Sequence, residues 1–181
     1  MRVIAGRFKG HKLVSFDAEH LRPTTDRVKG SIFNKLQMVT PGAKFLDLFA
    51  GTGSLSIEAL SREAGAVVSV ENHSKSLQIL RNNLNKLKIK AGIEIQSLDV
   101  FKYLKRYEGP AFDVVLADPP FTQKLADQVM LAITTSATIG PGSLVIIESG
   151  KHETIGDNYP PLVLDARKDY GDKLVSFFSC P

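Results

Sequence analysis

The chain has no tryptophan, a single cysteine, and no apolar run near the roughly 20 residues a membrane helix needs. Cys180 has no partner for an internal disulfide, which suits a reducing cytosol, and it reads as an inert residue. The first residues, MRVIAGRFKG, lack the apolar stretch of a secretory signal, so a cytoplasmic protein with no membrane partner is expected. The four histidines, His11, His20, His73 and His152, show no metal-ligand spacing, so no metal is expected. No Ser-His-Asp arrangement or nucleophile elbow is visible. Internal repeats, low-complexity tracts and linkers are also lacking. One domain over residues 1–181 is therefore expected, long enough to bury a substantial core.

Charge is unevenly spread. The formal net charge is +4, yet Met1–Leu36 alone holds eight Lys/Arg against three Asp/Glu, leaving fifteen basic and sixteen acidic residues for the rest. A basic arm on a near-neutral body suits a polyanion partner, although a solvated basic face has the same composition.

Along the chain, Arg2–Phe16 alternates crudely between apolar and basic residues, broken by Gly6 and Gly10, and reads as a short twisted strand pair. Arg7, Lys9, His11 and Lys12 would line its surface. Pro23 keeps Arg22 out of a helix, and Thr24, Thr25 or Asp26 can cap a helix starting near Arg27. Val28, Ile32, Phe33 and Leu36 give that helix its buried face. A regular alternation follows: strands at 44–49, 66–71, 93–97, 112–117 and 143–148, and helices at 54–61, 74–87, 100–105 and 123–134. Strands that are continuous apolar runs between helices indicate a parallel sheet covered on both faces. Residues 163–168 and 173–178 read instead as a hairpin around Tyr170-Gly171-Asp172. In such sheets ligands sit beyond the carboxyl ends of the strands, so Asp47–Gly53, Glu71, Asp99, Asp118–Phe121 and Glu148 converge on one rim.

Two stretches carry chemistry. FLDLFAGTG (Phe45–Gly53) is a strand running into a tight glycine turn, with Gly51 and Gly53 fitting GxG and Ser56 at the third fingerprint position. A plain strand–helix turn would look similar. Asp47, at the strand end, disfavours a phosphate and suits a cation, unlike the turn of a nicotinamide site. S-adenosylmethionine has a sulfonium and an ammonium and no phosphate. Asp47 would attract its positive end, Glu71 would accept both ribose hydroxyls and Asp99 would accept from the adenine amine. Asp118-Pro119-Pro120-Phe121 follows another strand. Two prolines stiffen the chain and remove N–H donors, leaving a carboxylate and a fixed carbonyl to accept from one exocyclic amine. Phe121 offers a stacking face for the base. A proline-stiffened loop with a capping Asp is the bland alternative. Glu58, on the helix after the turn, reads as structural.

With these pieces in place, the chain resembles the bacterial small-subunit ribosomal RNA guanine-N2 methyltransferases of the RsmD type over nearly its full length. The matching pieces are Arg2–Gly6 with Gly10 and Leu13, LRPTTDRVKGSIFNKL, DLFAGTGSLSIEAL, DPPF and KDYGDKL. The resemblance implies a Rossmann-like α/β fold of the class I methyltransferases: a mostly parallel seven-stranded sheet with an antiparallel last strand. An N-terminal basic β-hairpin and helix (1–40) would precede the catalytic sheet (41–181). It implies S-adenosylmethionine as methyl donor and the N2 amine of one guanine in 16S rRNA as acceptor. The substrate would be an assembling 30S subunit, and the enzyme a monomer. The expected cofactor residues are Thr25, Asp47, Phe49, Ala50, Gly51, Gly53, Glu71, Asn72, Asp99 and Val100, with Thr25 near the methionine end beneath a closing Arg22–Arg27 loop. The expected catalytic residues are Asp118, Pro119, Pro120 and Phe121; the expected RNA contacts are Arg2, Arg7, Lys9, Lys12 and Arg22.

Three other functions share parts of this pattern. A DNA adenine-N6 methyltransferase uses the same Asp-Pro-Pro-aromatic motif, but no insertion here is long enough for a target-recognition domain. A non-catalytic nucleic-acid-binding module on a degenerate scaffold conflicts with the intact Asp47, Glu71, Asp99 and Asp118. A nicotinamide-dependent oxidoreductase conflicts with Asp47, Ser56 and the DPPF loop.

Overall fold

A computed structural model describes residues 1–15 and 25–181. The chain runs α1 (Asp26–Lys35), β1 (Lys44–Leu48), α2 (Ser54–Ser61), β2 (Ala66–Val70), α3 (Ser74–Lys86), β3 (Ile93–Gln96), α4 (Val100–Arg106), β4 (Val114–Ala117), α5 (Ala126–Thr134), β5 (Leu144–Gly150), β6 (Asn158–Tyr159), β7 (Leu162–Asp169) and β8 (Lys173–Ser179). The strands form one sheet of order β3-β2-β1-β4-β5-β8-β7-β6. β1 to β5 are mutually parallel, and β8 pairs antiparallel with β5 on one side and β7 on the other. The expected sheet is present, with the last strand inserted antiparallel.

β1 and β4 are central and read as apolar runs because both their faces are covered. One buried cluster, with Ile32, Phe33, Phe45, Ile57, Leu80 and Leu116, lies under α1, α2 and α3. The other, with Leu46, Leu48, Val115, Met130, Ile133 and Phe178, lies under α4 and α5. Because side chains alternate along a strand, Phe45 and Leu46 serve opposite clusters. α1 also rests on the β7–β8 hairpin, with Arg27 over the Tyr170 ring, Lys35 over Phe177, and the Tyr170 hydroxyl on Ser31 Oγ. Cys180 is buried in the second cluster, its N–H donating to the Ser143 carbonyl.

The structure departs from the expected elements in three places. An eighth, two-residue strand, β6, pairs with β7; Pro160-Pro161 follows it at once, too abrupt a stop to give a periodic signal. Buried Tyr159 holds it, donating to Asp127 Oδ1 at 2.6 Å and lying edge-on to Phe178. The N-terminal arm closes through a single antiparallel bridge, Arg2 to Lys12, rather than a longer strand ladder, because the N–H groups of Ile4, Ala5, Arg7 and Phe8 turn to α2 and that of Val14 to α3. Residues 123–125 precede α5; Phe121–Gln123 forms a short 3₁₀ turn and Lys124 adopts a left-handed backbone. No helix among the described residues is long and apolar enough to cross a membrane.

Candidate active site

The carboxyl ends of β1, β2 and β4 and the start of α4 surround a cleft of about 630 Å³. Its walls include Asp47, Phe49, Ala50, Gly51, Glu71, Asn72, Asp99, Asp118 and Pro120, nine of the expected site residues. A volume in this range suits a nucleoside-sized ligand.

The β1–α2 turn is built under strain. Phe49 has φ 62°, unusual for a bulky residue, and Gly51 (φ 55°) and Gly53 (φ 81°) follow in the same left-handed region. A Cβ on Gly53 would press on the Leu80 side chain at 3.0 Å, so this glycine fits α2 against α3. Gly53 is the N-cap of α2 and does not line the cleft.

Asp47 is 1% exposed. Its Oδ2 accepts from Ser56 N at 3.0 Å and from the Ser56 hydroxyl. Its Oδ1 is buried without a hydrogen-bond partner. Burial pushes the carboxyl up to about 7, against the lowering effect of the two Ser56 bonds. Serine at position 56, rather than the fingerprint glycine, supplies those donors. The orphaned oxygen invites a cation or donor from the cleft.

Glu71 stands across the turn. Its Oε2 accepts from Gly51 N at 2.8 Å, and its Oε1 from Asn72 N and His73 N, both at 2.8 Å. Three of roughly four acceptor positions on the carboxylate are thus used by the backbone. One ribose hydroxyl can bond without displacing a partner; the expected pair requires an N–H to yield. Asp99 caps α4 through Lys102 N, at 3.0 Å, with its side chain at the cleft wall. Val100, the next residue, is buried in the core.

From the end of neighbouring β4, Asp118 and Pro120 line the cleft while Pro119 is buried. Phe121 opens the 3₁₀ turn and is half-buried, with the Lys173 ammonium 4.5 Å from its ring centroid. The structure thus brings the acid-lined turn and the Asp-Pro-Pro loop to one cleft.

Other expected residues fall elsewhere. Thr25 caps α1 through Val28 N and is not among the cleft-lining residues. Arg22 lies outside the described residues. Arg2 is exposed and paired with Asp26 at 2.8 Å. Arg7 is exposed over the Phe8 ring, and Lys9 and Lys12 are exposed on the same arm.

Sequence reasoning missed how the arm reaches the cleft. Met1 and Ser15 line it. Asn83 of α3 is buried, exchanges two bonds with the Val14 backbone and donates to the Thr52 carbonyl in the glycine turn. Glu58 is structural, as expected, and fully buried. Its two oxygens accept from Ile4 N and Ala5 N, and it lies 3.4 Å from Lys29 Nζ and 2.8 Å from Arg62 Nε. A buried glutamate on α2 was the available signal; the arm residues it holds, Ile4 and Ala5, lie more than fifty residues away. Lys173 was also missed. Among the described residues no group of three or more His, Cys, Asp or Glu side chains is placed to hold a metal ion.

A family model described as "Conserved hypothetical protein 95" matches residues 1–179. The ribosomal RNA small subunit methyltransferase D of Haemophilus influenzae is 38% identical over 86% of this chain and 81% of its own length. That of Escherichia coli strain K12 is 34% identical over 82% of this chain and 74% of its own length. The solved structure of yhhF from Escherichia coli matches with a TM-score of 0.87 at 30% identity, covering 100% of this chain and 99% of that one. With the family model spanning nearly every residue and relatives above 30% identity over most of their length, the chain belongs to the RsmD-type family of ribosomal RNA small subunit methyltransferases.

Proposed function

We propose that this protein methylates the exocyclic N2 amine of a guanine in 16S rRNA, using S-adenosylmethionine. The observation that carries the reading is the shared cleft: it is lined both by a buried acid with an unpartnered oxygen, Asp47, and by Asp118 with Pro120. Family membership and the names of the relatives support small-subunit rRNA as the substrate class.

The residues present fit the cofactor. Asp47 Oδ1 can take its ammonium, Glu71 Oε2 a ribose hydroxyl, and Asp99 its adenine amine. When bound, S-adenosylmethionine supplies an electrophilic methyl on a cationic sulfur. Asp118 accepts one N–H of the target amine, and the carbonyls of the proline pair accept the other. This draws the nitrogen lone pair out of ring conjugation and along the line of transfer. Phe121 stacks on the base. A newly methylated arylamine is strongly acidic, so Asp118 or water takes its proton without a dedicated base, and positioning and electrostatics provide the catalysis. The exposed cations of the arm would hold the RNA, and a 30S particle in assembly is the proposed substrate.

Labelled S-adenosylmethionine incubated with the protein and unmethylated 30S particles, free 16S rRNA or DNA tests this. Label recovered in N2-methylguanine is expected. Label in N6-methyladenine, or no transfer to any substrate, would overturn it.

A further inference from the structure

The Asp-Pro-Pro-Phe loop is held from a strand far away in sequence. Lys173, the first residue of β8, is 6% exposed and reaches the loop from across β5. Its Nζ lies 2.9 Å from Glu148 Oε2, 3.8 Å from Asp118 Oδ1 and 4.5 Å from the Phe121 centroid.

Register explains the meeting. Gly150 pairs with Lys173 and Glu148 with Val175, so Lys173 and Glu148 are diagonal neighbours on one face, within reach of a long side chain. β4 pairs with β5 up to Ala117–Ile147, so Asp118 follows one step beyond, beside Glu148. Asp118, Glu148 and Lys173 thus meet at one end of three adjacent strands. Two carboxylates on neighbouring strands repel, and an ammonium between them relieves the repulsion.

We infer that Lys173 is a positioning residue of the methyl-acceptor site: its ammonium fixes Asp118 and the Phe121 ring and is the counter-ion that lets Asp118 and Glu148 stand side by side. The inference rests on the methyltransferase reading above. The lysine covers one face of Phe121, so an incoming base stacks on the other. The contacts Lys173 makes here are with the Asp-Pro-Pro-Phe loop and with Glu148 beside it, on the acceptor side of the cleft, so it acts on the rate of transfer and not on cofactor affinity.

Lys173→Met alone takes the ammonium away from buried Glu148 and tests folding as much as positioning, so the test uses K173M/E148Q, in which the buried ion pair becomes a neutral pair of similar volume. Turnover on unmethylated 30S particles, cofactor Kd and Tm are measured for wild type, K173M/E148Q and K173R. The double variant is expected to keep its Tm and a cofactor Kd within about twofold, and to lose about 10- to 100-fold in kcat, the scale of a small misplacement at a reacting centre. K173R, which keeps the charge, is expected to recover most of the rate. Wild-type kcat in the double variant would reduce Lys173 to a counter-charge for Glu148 and overturn the inference. A parallel loss of kcat and cofactor affinity would overturn it too, by placing the defect in the whole cleft. A wild-type protein that transfers no methyl group would instead overturn the reading of the site, and the role of Lys173 with it.

Discussion

Asp47 shows how one residue can set the pH behaviour of both folding and ligand binding. Unfolded, its carboxyl titrates near 3.8; folded, it holds its proton up to about 7 because burial disfavours the charge. Between those values the native state binds more protons than the unfolded one. The stability Asp47 contributes is therefore fully present below about 3.8 and is lost as pH rises through about 7. A cation bound at Oδ1 reverses the preference, since it favours the ionised form and expels the proton. Affinity for S-adenosylmethionine should thus rise up to about tenfold from pH 6 to pH 8, following the ionised fraction of a group titrating near 7. Calorimetry at the two pH values checks this, with Asp47→Asn expected to bind weakly and without the trend. The same variant should gain in Tm relative to wild type as pH is raised from 5 to 8. In the proposed reaction Asp118 serves the acceptor. Asp118→Ala should lower kcat by about 10²–10³-fold, the scale for removing one transition-state partner, and leave cofactor Kd within about twofold. A large loss of cofactor binding in that variant would mean its role is misassigned. These acids were legible in the sequence because parallel strands deliver their ends to one rim. Lys173 was not, because its meaning lies in the β5–β8 register, which no local pattern encodes.

At the level of elements, α2 does two jobs: its first turn closes the glycine turn at the cleft, and its other end is the dock for the N-terminal arm. Ser61 accepts from Arg7 N through its carbonyl at 2.7 Å and from Phe8 N through its hydroxyl at 2.9 Å, while that hydroxyl donates to the Ala5 carbonyl at 2.5 Å. Such intimacy requires a glycine. Gly6 has φ 78°, and a Cβ there would sit 1.8 Å from the Ser61 carbonyl oxygen. Gly10 has a similar φ, 83°, but open space around it. The pair separates backbone strain from collision. Gly10→Ala should cost about 1–2 kcal/mol, the penalty for a side chain in the left-handed region. Gly6→Ala should cost at least about twice that, because backbone must also move. Urea unfolding of the two variants checks the order; equal costs would mean the arm is loosely seated. The expected strand pair came from alternation in residues 2–16, and only the Arg2–Lys12 bridge survives in the structure. Alternation was misleading here because Val3 and Leu13 face the core while the N–H groups of residues 4, 5, 7 and 8 are taken by Glu58 and Ser61 of α2. Helix α1, by contrast, was readable from its cap and its apolar stripe, since both signals are local.

Across the whole molecule, docking turns a skewed composition into a fixed charged surface. An arm tethered by Glu58, Ser61 and Asn83 cannot trail in solvent, so its cations keep a set position relative to the cleft that Met1 and Ser15 help to line. The cations are not equivalent. Arg2 is neutralised by Asp26, whereas Arg7, Lys9 and Lys12 have no carboxylate partner among the described residues. Lys86 of α3 donates to the Lys12 carbonyl at 2.8 Å and extends the basic surface beyond the arm. If this surface tracks an RNA backbone, binding releases counterions and weakens with salt in proportion to the phosphates neutralised. Replacing Arg7, Lys9 and Lys12 together by alanine should flatten the plot of log Kd against log salt by about two to three units, near one per lost phosphate contact. Arg2→Ala should leave the slope almost unchanged, because its charge is already spent on Asp26. Neither change touches Asp47, Glu71 or Asp99, so S-adenosylmethionine affinity should hold in both. Filter binding of 16S rRNA fragments across a salt series decides the matter: a triple variant with the wild-type slope would leave the arm as a wall of the cofactor cleft and nothing more.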